Sequence, residues 1–176
     1  MDINYTLNLE EALKNLQHRG AFLTVTDREG NTNTMTIGWG NIGYEWGRPV
    51  FIALVRESRY THKLLENAED FTVSIPMDDS MKDAIGFCGS KSGREYDKFK
   101  ECHLGVQKSE NVKSPSIENC GMIYECKIVY KHNMDINLLD EDIKKKWYKE
   151  EESKWYAPGD AHTIYYGEIL ECYNNK

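Results

Sequence analysis

Six stretches of this chain carry strand character, and helices do not fall regularly between them. AFLTVTD (21–27) alternates apolar and polar residues, REGN marks a turn, and NTMTIGWG (33–40) alternates again, so 21–40 reads as a hairpin. VFIALV (50–55) is a short continuous apolar run, the pattern of a strand buried on both faces. FTVSI (71–75) stops at Pro76. GMIYECKIVYKH (121–132) puts Met122, Tyr124, Cys126, Ile128 and Tyr130 on one face, and HTIYYGEILECY (162–173) is the last strand. A doubly wound sheet needs a helix after nearly every strand. This order instead leads to a mainly β fold, an antiparallel barrel with short helices in its crossovers.

The helical stretches are short. In NLEEALKNLQHRG (8–20), Asn8 stands at the cap with Glu11 three residues on, as in a capping box. Leu9, Ala12, Leu13 and Leu16 share a face, and Gly20 closes the end. A second helix is expected after residue 55, with Ser58 as N-cap and an end near Ala68. MKDAIGFCG (81–89) and EYDKFKEC (95–102) read as further helices, and DEDIKKKWYKEEESKW (140–155) as a heavily charged, exposed one.

The length of 176 residues suits one domain spanning 1–176, and 40% hydrophobic residues suffice for a core. A net charge of −7 argues against nucleic acid as a partner but leaves room for a small anion pocket built from two or three donors. The five cysteines form no CxxC, and no Cys or His pair has metal-ligand spacing, so no metal is expected. The first residues, MDINYTLNLEEAL, show no basic region followed by an apolar run, which fits reduced thiols in the cytoplasm. No apolar stretch is long enough to span a bilayer.

Three stretches carry binding chemistry. RESRYTHKLL (56–65) gathers Arg56, Ser58, Arg59, Tyr60 and Thr61 where a strand passes into a helix. That is either a capped, solvated helix entrance or an anion site in which an arginine forks onto phosphate. GSKSGRE (89–95) combines small residues, which let a backbone approach a ligand closely, with donors from Lys91, Ser92 and Arg94. A surface turn has the same composition, and the stretch lacks the frame of a dinucleotide-binding turn. NTMTIGWGNIGYEW (33–46) runs from a strand into a loop with two tryptophans, which either pack or flank an aromatic ring. No nucleophile–base pair stands out, and His162 by itself is a turn histidine. Chemistry in such a chain falls to a cofactor.

Taken in order, TNTMTIGWGNIG, RESRYTHKLLENAEDFTVSIP, FCGSKSGREYDKF and DAHTIYYGEILECY resemble the flavin reductase-like family, over roughly residues 19–173. Within that family the chain is similar to the small flavoredoxin and NAD(P)H:flavin oxidoreductase branch. The resemblance implies a six-stranded antiparallel split β-barrel that forms a homodimer and binds FMN near the subunit interface. It implies FMN-phosphate contacts from Arg56, Ser58, Arg59, Tyr60 and Thr61. Thr34, Met35, Thr36, Ile37, Gly38 and Trp39 would line the isoalloxazine ring, with Ser92, Gly93 and Arg94 near it. His162 matches a histidine placed near flavin and nicotinamide, hence a catalytic candidate. The implied activity is electron transfer from NADH or NADPH through FMN to flavin, a small acceptor or a redox partner protein. Relatives often carry a small polar loop and a Pro-Pro pair where this chain has NIGYEWGRP (41–49), with Pro49 alone. A bulky residue folded over the ring there would shut out nicotinamide. The alternatives are therefore an FMN electron-transfer module without nicotinamide turnover, or a non-catalytic split-barrel binding dimer.

Overall fold

The computed structural model describes residues 3–149, 151 and 157–175. In chain order the main elements are α1 (Leu9–His18), β1 (Ala21–Thr26), β2 (Thr32–Ile37), β3 (Gly40–Glu45), β4 (Arg48–Arg56), α2 (Tyr60–Leu65) and β5 (Asp70–Ile75). They continue with α3 (Lys82–Ser90), α4 (Lys98–Glu101), β6 (Val106–Gln107), β7 (Ser116–Ile117), β8 (Met122–Asn133), α5 (Glu141–Trp147) and β9 (His162–Asn174).

One antiparallel sheet runs β2-β1-β5-β8-β9-β4-β3, and β6 pairs with β7 in a small separate sheet. The large sheet has seven strands where six were expected. The extra one is β3, which lies in the glycine- and aromatic-rich stretch read as a loop. It pairs with β4 from Gly40↔Ala53 to Glu45↔Arg48. Trp46 and Gly47 make the turn, both with positive φ (51° and 75°), the conformation that suits the twist of a two-residue hairpin. Glycines and a single proline thus hide a strand whose pairing partner, not its own propensity, holds it in place.

The inner face of the sheet buries Leu23, Val25, Phe51, Val55, Phe71, Val73, Tyr124 and Tyr165. Helix α1 plugs this core with Ala12 and Leu16. Its N-terminus differs from a capping box. Asn8 adopts a left-handed φ of 50° and makes no side-chain cap, and its amide turns to Met122 Sδ instead. Gly20 does close the helix at φ +89°. A Cβ there would also meet the Ile37 carbonyl at 2.9 Å, so the α1–β1 join needs glycine twice over. The single apolar face expected along β8 is interrupted by register shifts at Glu125/Cys126 and Ile128/Tyr130, which leave Tyr130 exposed. Helix α5 ends at Trp147; residues 150 and 152–156 of the longer expected helix lie outside the described residues.

Strands β2 and β4 are not hydrogen-bonded neighbours, yet they approach across the opening of the barrel. This split is where side chains from β2, β4, β9, α2 and α5 converge.

Candidate functional site

Two cavities lie along the split and share Met35 and Arg59. The first, about 210 Å³, is walled by Met35, Thr36, Ile37, Gly38 and Trp39 on one side and by Leu54, Arg56, Arg59, Trp147 and His162 on the other. The second, about 110 Å³, is formed by Asn33, residues 58–61, residues 91–94 and Lys98. All of the sequence candidates except Thr34 line one or other cavity. The Thr34 side chain is turned inward, where its hydroxyl accepts from Thr24 Oγ1 at 3.0 Å.

Arg56 sits at the end of β4 and is nearly buried. It donates to the carbonyls of Asp160 (2.6 Å) and Trp147 (2.9 Å), and its guanidinium lies 5.2 Å from the Tyr148 ring centre. It therefore pins the end of α5 and the approach to β9 against β4. Ser58, expected as the helix N-cap, does different work. Its amide and hydroxyl both donate to the Asp160 carboxylate, at 3.0 and 2.7 Å, and the cap position passes to Arg59 without a side-chain bond. A carboxylate that accepts two bonds outcompetes a lone hydroxyl cap. Helix α2 spans six residues rather than reaching Ala68, so its dipole contributes little and the charge of the second cavity comes from side chains.

The charged side chains there are all cationic. Arg59, Lys91, Arg94 and Lys98 line the second cavity, and no aspartate or glutamate among the described residues does. Arg94 donates to the Ser58 carbonyl at 3.1 Å and stands over Tyr60, 5.5 Å from its ring centre. Asn33 donates to Thr61 Oγ1 at 2.8 Å and forms the floor. The loop at Gly93 passes so close to this floor that a Cβ would lie 2.3 Å from Asn33 Oδ1 and 2.8 Å from the Tyr60 ring. Lys98 is 3% exposed. Its ammonium donates to the carbonyls of Thr34 (2.9 Å) and Cys88 (2.8 Å), which leaves one of its three donors for a ligand. Burial pushes its pKa down to about 8, and the Arg59 charge acts in the same direction. No carboxylate among the described residues pairs with it. A buried cation with no counter-charge is expensive unless an anion completes the site.

The first cavity has the opposite character. His162 is buried, and its Nδ1 lies 2.8 Å from the Tyr148 hydroxyl. Burial, then Arg56 and Arg59, lower its pKa to about 3, so the ring is neutral near pH 7 and acts as a hydrogen-bonding group rather than as an imidazolium acid. Trp39 lies edge-on to Trp147 (centroids 4.9 Å apart) and 5.4 Å from the His162 ring. Tyr44 and Trp46 stand out on the β3–β4 hairpin, where Trp46 packs on Tyr130 and Tyr166. Of the bulky residues in 39–46, only Trp39 reaches the cavity. Cys88, next to the glycine loop, has its thiol pushed up to about 12 by burial, which suits a packing role more than a redox one.

Asn33, Leu54, Lys98, Trp147, Tyr148 and Asp160 are residues of the site that the sequence does not single out. Nothing in DKFKE separates Lys98 from Lys100, which pairs with Asp97 in solvent at 2.9 Å. Only the fold shows which lysine turns inward.

The sequence model of the flavin reductase like domain matches residues 15–176. The chain belongs to the flavin reductase-like family. An uncharacterised protein of Archaeoglobus fulgidus is 30% identical over 138 residues, which cover 78% of this chain and 63% of that protein, so the match leaves over a third of the relative unspanned. Among solved structures, flavoredoxin of Desulfovibrio vulgaris (Miyazaki F) superposes with a TM-score of 0.66 at 22% identity, covering 89% of this chain and 69% of that one. An FMN-binding protein from Thermus thermophilus, with bound 1-cyclohex-2-enone, gives 0.65 at 22% identity, covering 89% and 70%. At these identities the solved structures bear on the fold, and the flavin reductase-like chain shares their split barrel.

Proposed function

We propose that this chain is an FMN-binding oxidoreductase, with the phosphate of FMN in the cationic cavity and the ring in the adjoining one. The observation that carries the reading is Lys98, a buried ammonium among three further cations with no carboxylate beside it among the described residues. A phosphate monoester brings close to two negative charges and three acceptor oxygens, which suits this donor set. Arg59 and Arg94 add forked donors, and the close backbone approach at Gly93 narrows the pocket around a terminal group. Met35, Ile37 and Leu54 supply apolar walls for a flat ring, and Trp39 an aromatic one. Bound FMN supplies two-electron acceptance at its ring, and the chain has to hold that ring and exclude water. His162 contributes a neutral hydrogen-bonding edge whose orientation Tyr148 fixes.

The same reading takes NADH or NADPH as reductant and flavin or another small molecule as acceptor, in a homodimer of single-domain chains. Five free cysteines support a reducing, cytoplasmic setting. Flavin-fluorescence titration tests the site. FMN should bind at least about 100-fold more tightly than riboflavin, which lacks the phosphate. Equal affinities would overturn the assignment. Anaerobic titration of the loaded protein with NADH and NADPH then tests the reductant. Trp39, set edge-on to Trp147 at the ring cavity, favours a second reading in which electrons come from a protein partner and neither pyridine nucleotide bleaches the flavin.

A further inference from the structure

A third cavity, about 360 Å³, opens on the far side of Trp39 and shares Gly38, Trp39 and Leu54 with the ring cavity. Its remaining walls are Leu13, Leu16 and Gln17 of α1, with Gly40 and Asn41 of β3. Among the described residues its lining contains no charged side chain, whereas arginines line the ring cavity and arginines and lysines the phosphate cavity. The neighbouring Lys14 is held by Glu10, 2.8 Å away. A dinucleotide would find nothing here to balance its pyrophosphate. Besides the Trp39 indole, the polar side chains are two amides, Gln17 and Asn41, and both are exposed and able to donate to a carbonyl oxygen. Leu13 and Gln17 stand one helical turn apart on α1 and so present an apolar surface with an amide at its edge. Gly38 is the join between the cavities, and a Cβ added there would meet nothing within 4 Å. A flat molecule in this third cavity would therefore reach the ring cavity past a single indole and a residue with no side chain.

We infer that this cavity binds the electron acceptor, an uncharged, flat, apolar ring compound bearing carbonyl oxygens, of which a quinone is the simplest class. The inference rests on the FMN reading above. The exchange balances with no further reactant. A para-quinone takes up two electrons and two protons to give the hydroquinone, and the two-electron-reduced flavin that releases them returns to its oxidised form. The cavity is open and apolar, so it offers burial to a planar ring, and the two amides orient its oxygens.

The test uses the full chain loaded with FMN, checked by its visible spectrum, and titrated with menadione in a calorimeter. Saturable binding is expected, weakened at least tenfold in Leu13→Glu and several-fold in Gln17→Ala. FMN affinity in both variants should stay within twofold of the parent. As a kinetic companion, the flavin is photoreduced without any nicotinamide and reoxidised. Leu13→Glu should slow reoxidation by menadione but leave reoxidation by ferricyanide, a small anion with no use for an apolar wall, unchanged. FMN uptake without saturable menadione binding would overturn the acceptor site alone, as would equal affinity in Leu13→Glu. Sedimentation as a dimer combined with no menadione binding would mean that a second copy covers the cavity, and would overturn it too. A chain that takes up no FMN would remove the underlying reading first, before menadione is added.

Discussion

Along the barrel split, the cavities proposed for the flavin ring and for its phosphate share Met35 and Arg59 but handle charge in opposite ways. In the ring cavity, His162 is held uncharged by burial and by two arginines, and Arg56 spends its donors on the Asp160 and Trp147 carbonyls. In the phosphate cavity, Lys98 is buried with only carbonyl partners, beside Arg59, Lys91 and Arg94. On the proposed reading the first holds its charges with its own partners, and the phosphate of FMN completes the second. Ligand affinity should therefore come mainly from the phosphate end, while the ring end sets shape and excludes water.

The widest gap between the two ends should appear in Lys98→Met. FMN affinity should fall about 100-fold, or about 3 kcal/mol, as for a buried charge-assisted contact, while riboflavin affinity stays the same. The free protein should melt no lower than the parent at pH 7, because the variant removes a buried cation that has no carboxylate partner among the described residues. The sign follows from linkage. Lys98 releases its proton near pH 8 in the folded chain and near the ordinary 10.5 when unfolded, so its charge weighs against folding below pH 8 and that cost fades as pH rises from 8 to 10.5. A large loss of thermal stability at pH 7 would show instead that the lysine is a structural brace.

Arg59→Ala should cost about 2 kcal/mol of FMN affinity, somewhat less than Lys98→Met because Arg59 is only half-buried. pH sharpens the comparison further. A bound phosphate favours the charged lysine, so FMN binding should take up a proton near pH 8, and affinity should drop about tenfold between pH 7 and pH 9. Lys98→Met should abolish that slope. At the ring end, Trp39→Ala should weaken FMN and riboflavin alike by about 1 kcal/mol, since it removes a stacking wall and no charge. Smallest of all, the ring end should show no His162 titration between pH 5 and pH 8 when followed by NMR of the imidazole, since its pKa of about 3 lies well below that range. A midpoint inside that window would mean that burial and the two arginines do not hold the ring neutral.

The same contrast explains what could be read from the chain in advance. The ring wall lies on consecutive residues of β2 and its exit, and the RESRYT and GSKSGR stretches are contiguous, so local composition points at them. Lys98 and Asp160 carry no local signal. Each matters because of a partner distant in sequence that the fold brings into contact, Thr34 for one and Ser58 for the other. Strand β3 escapes notice for a similar reason, since its glycines suppress the propensity that cross-strand pairing with β4 restores. The buried strands were legible because their apolar residues alternate or run together within single contiguous segments. The Asn8 cap was not, since Met122 competes for its amide from the far side of the core.

The most direct test is a visible absorption spectrum of the purified protein after addition of FMN and desalting, with Lys98→Met treated in parallel. The parent should keep flavin bands at one flavin per chain, and the variant should emerge nearly colourless while still folded. A colourless parent, or a variant that holds its flavin as firmly as the parent, would contradict the claim that this split barrel carries an anion site centred on Lys98.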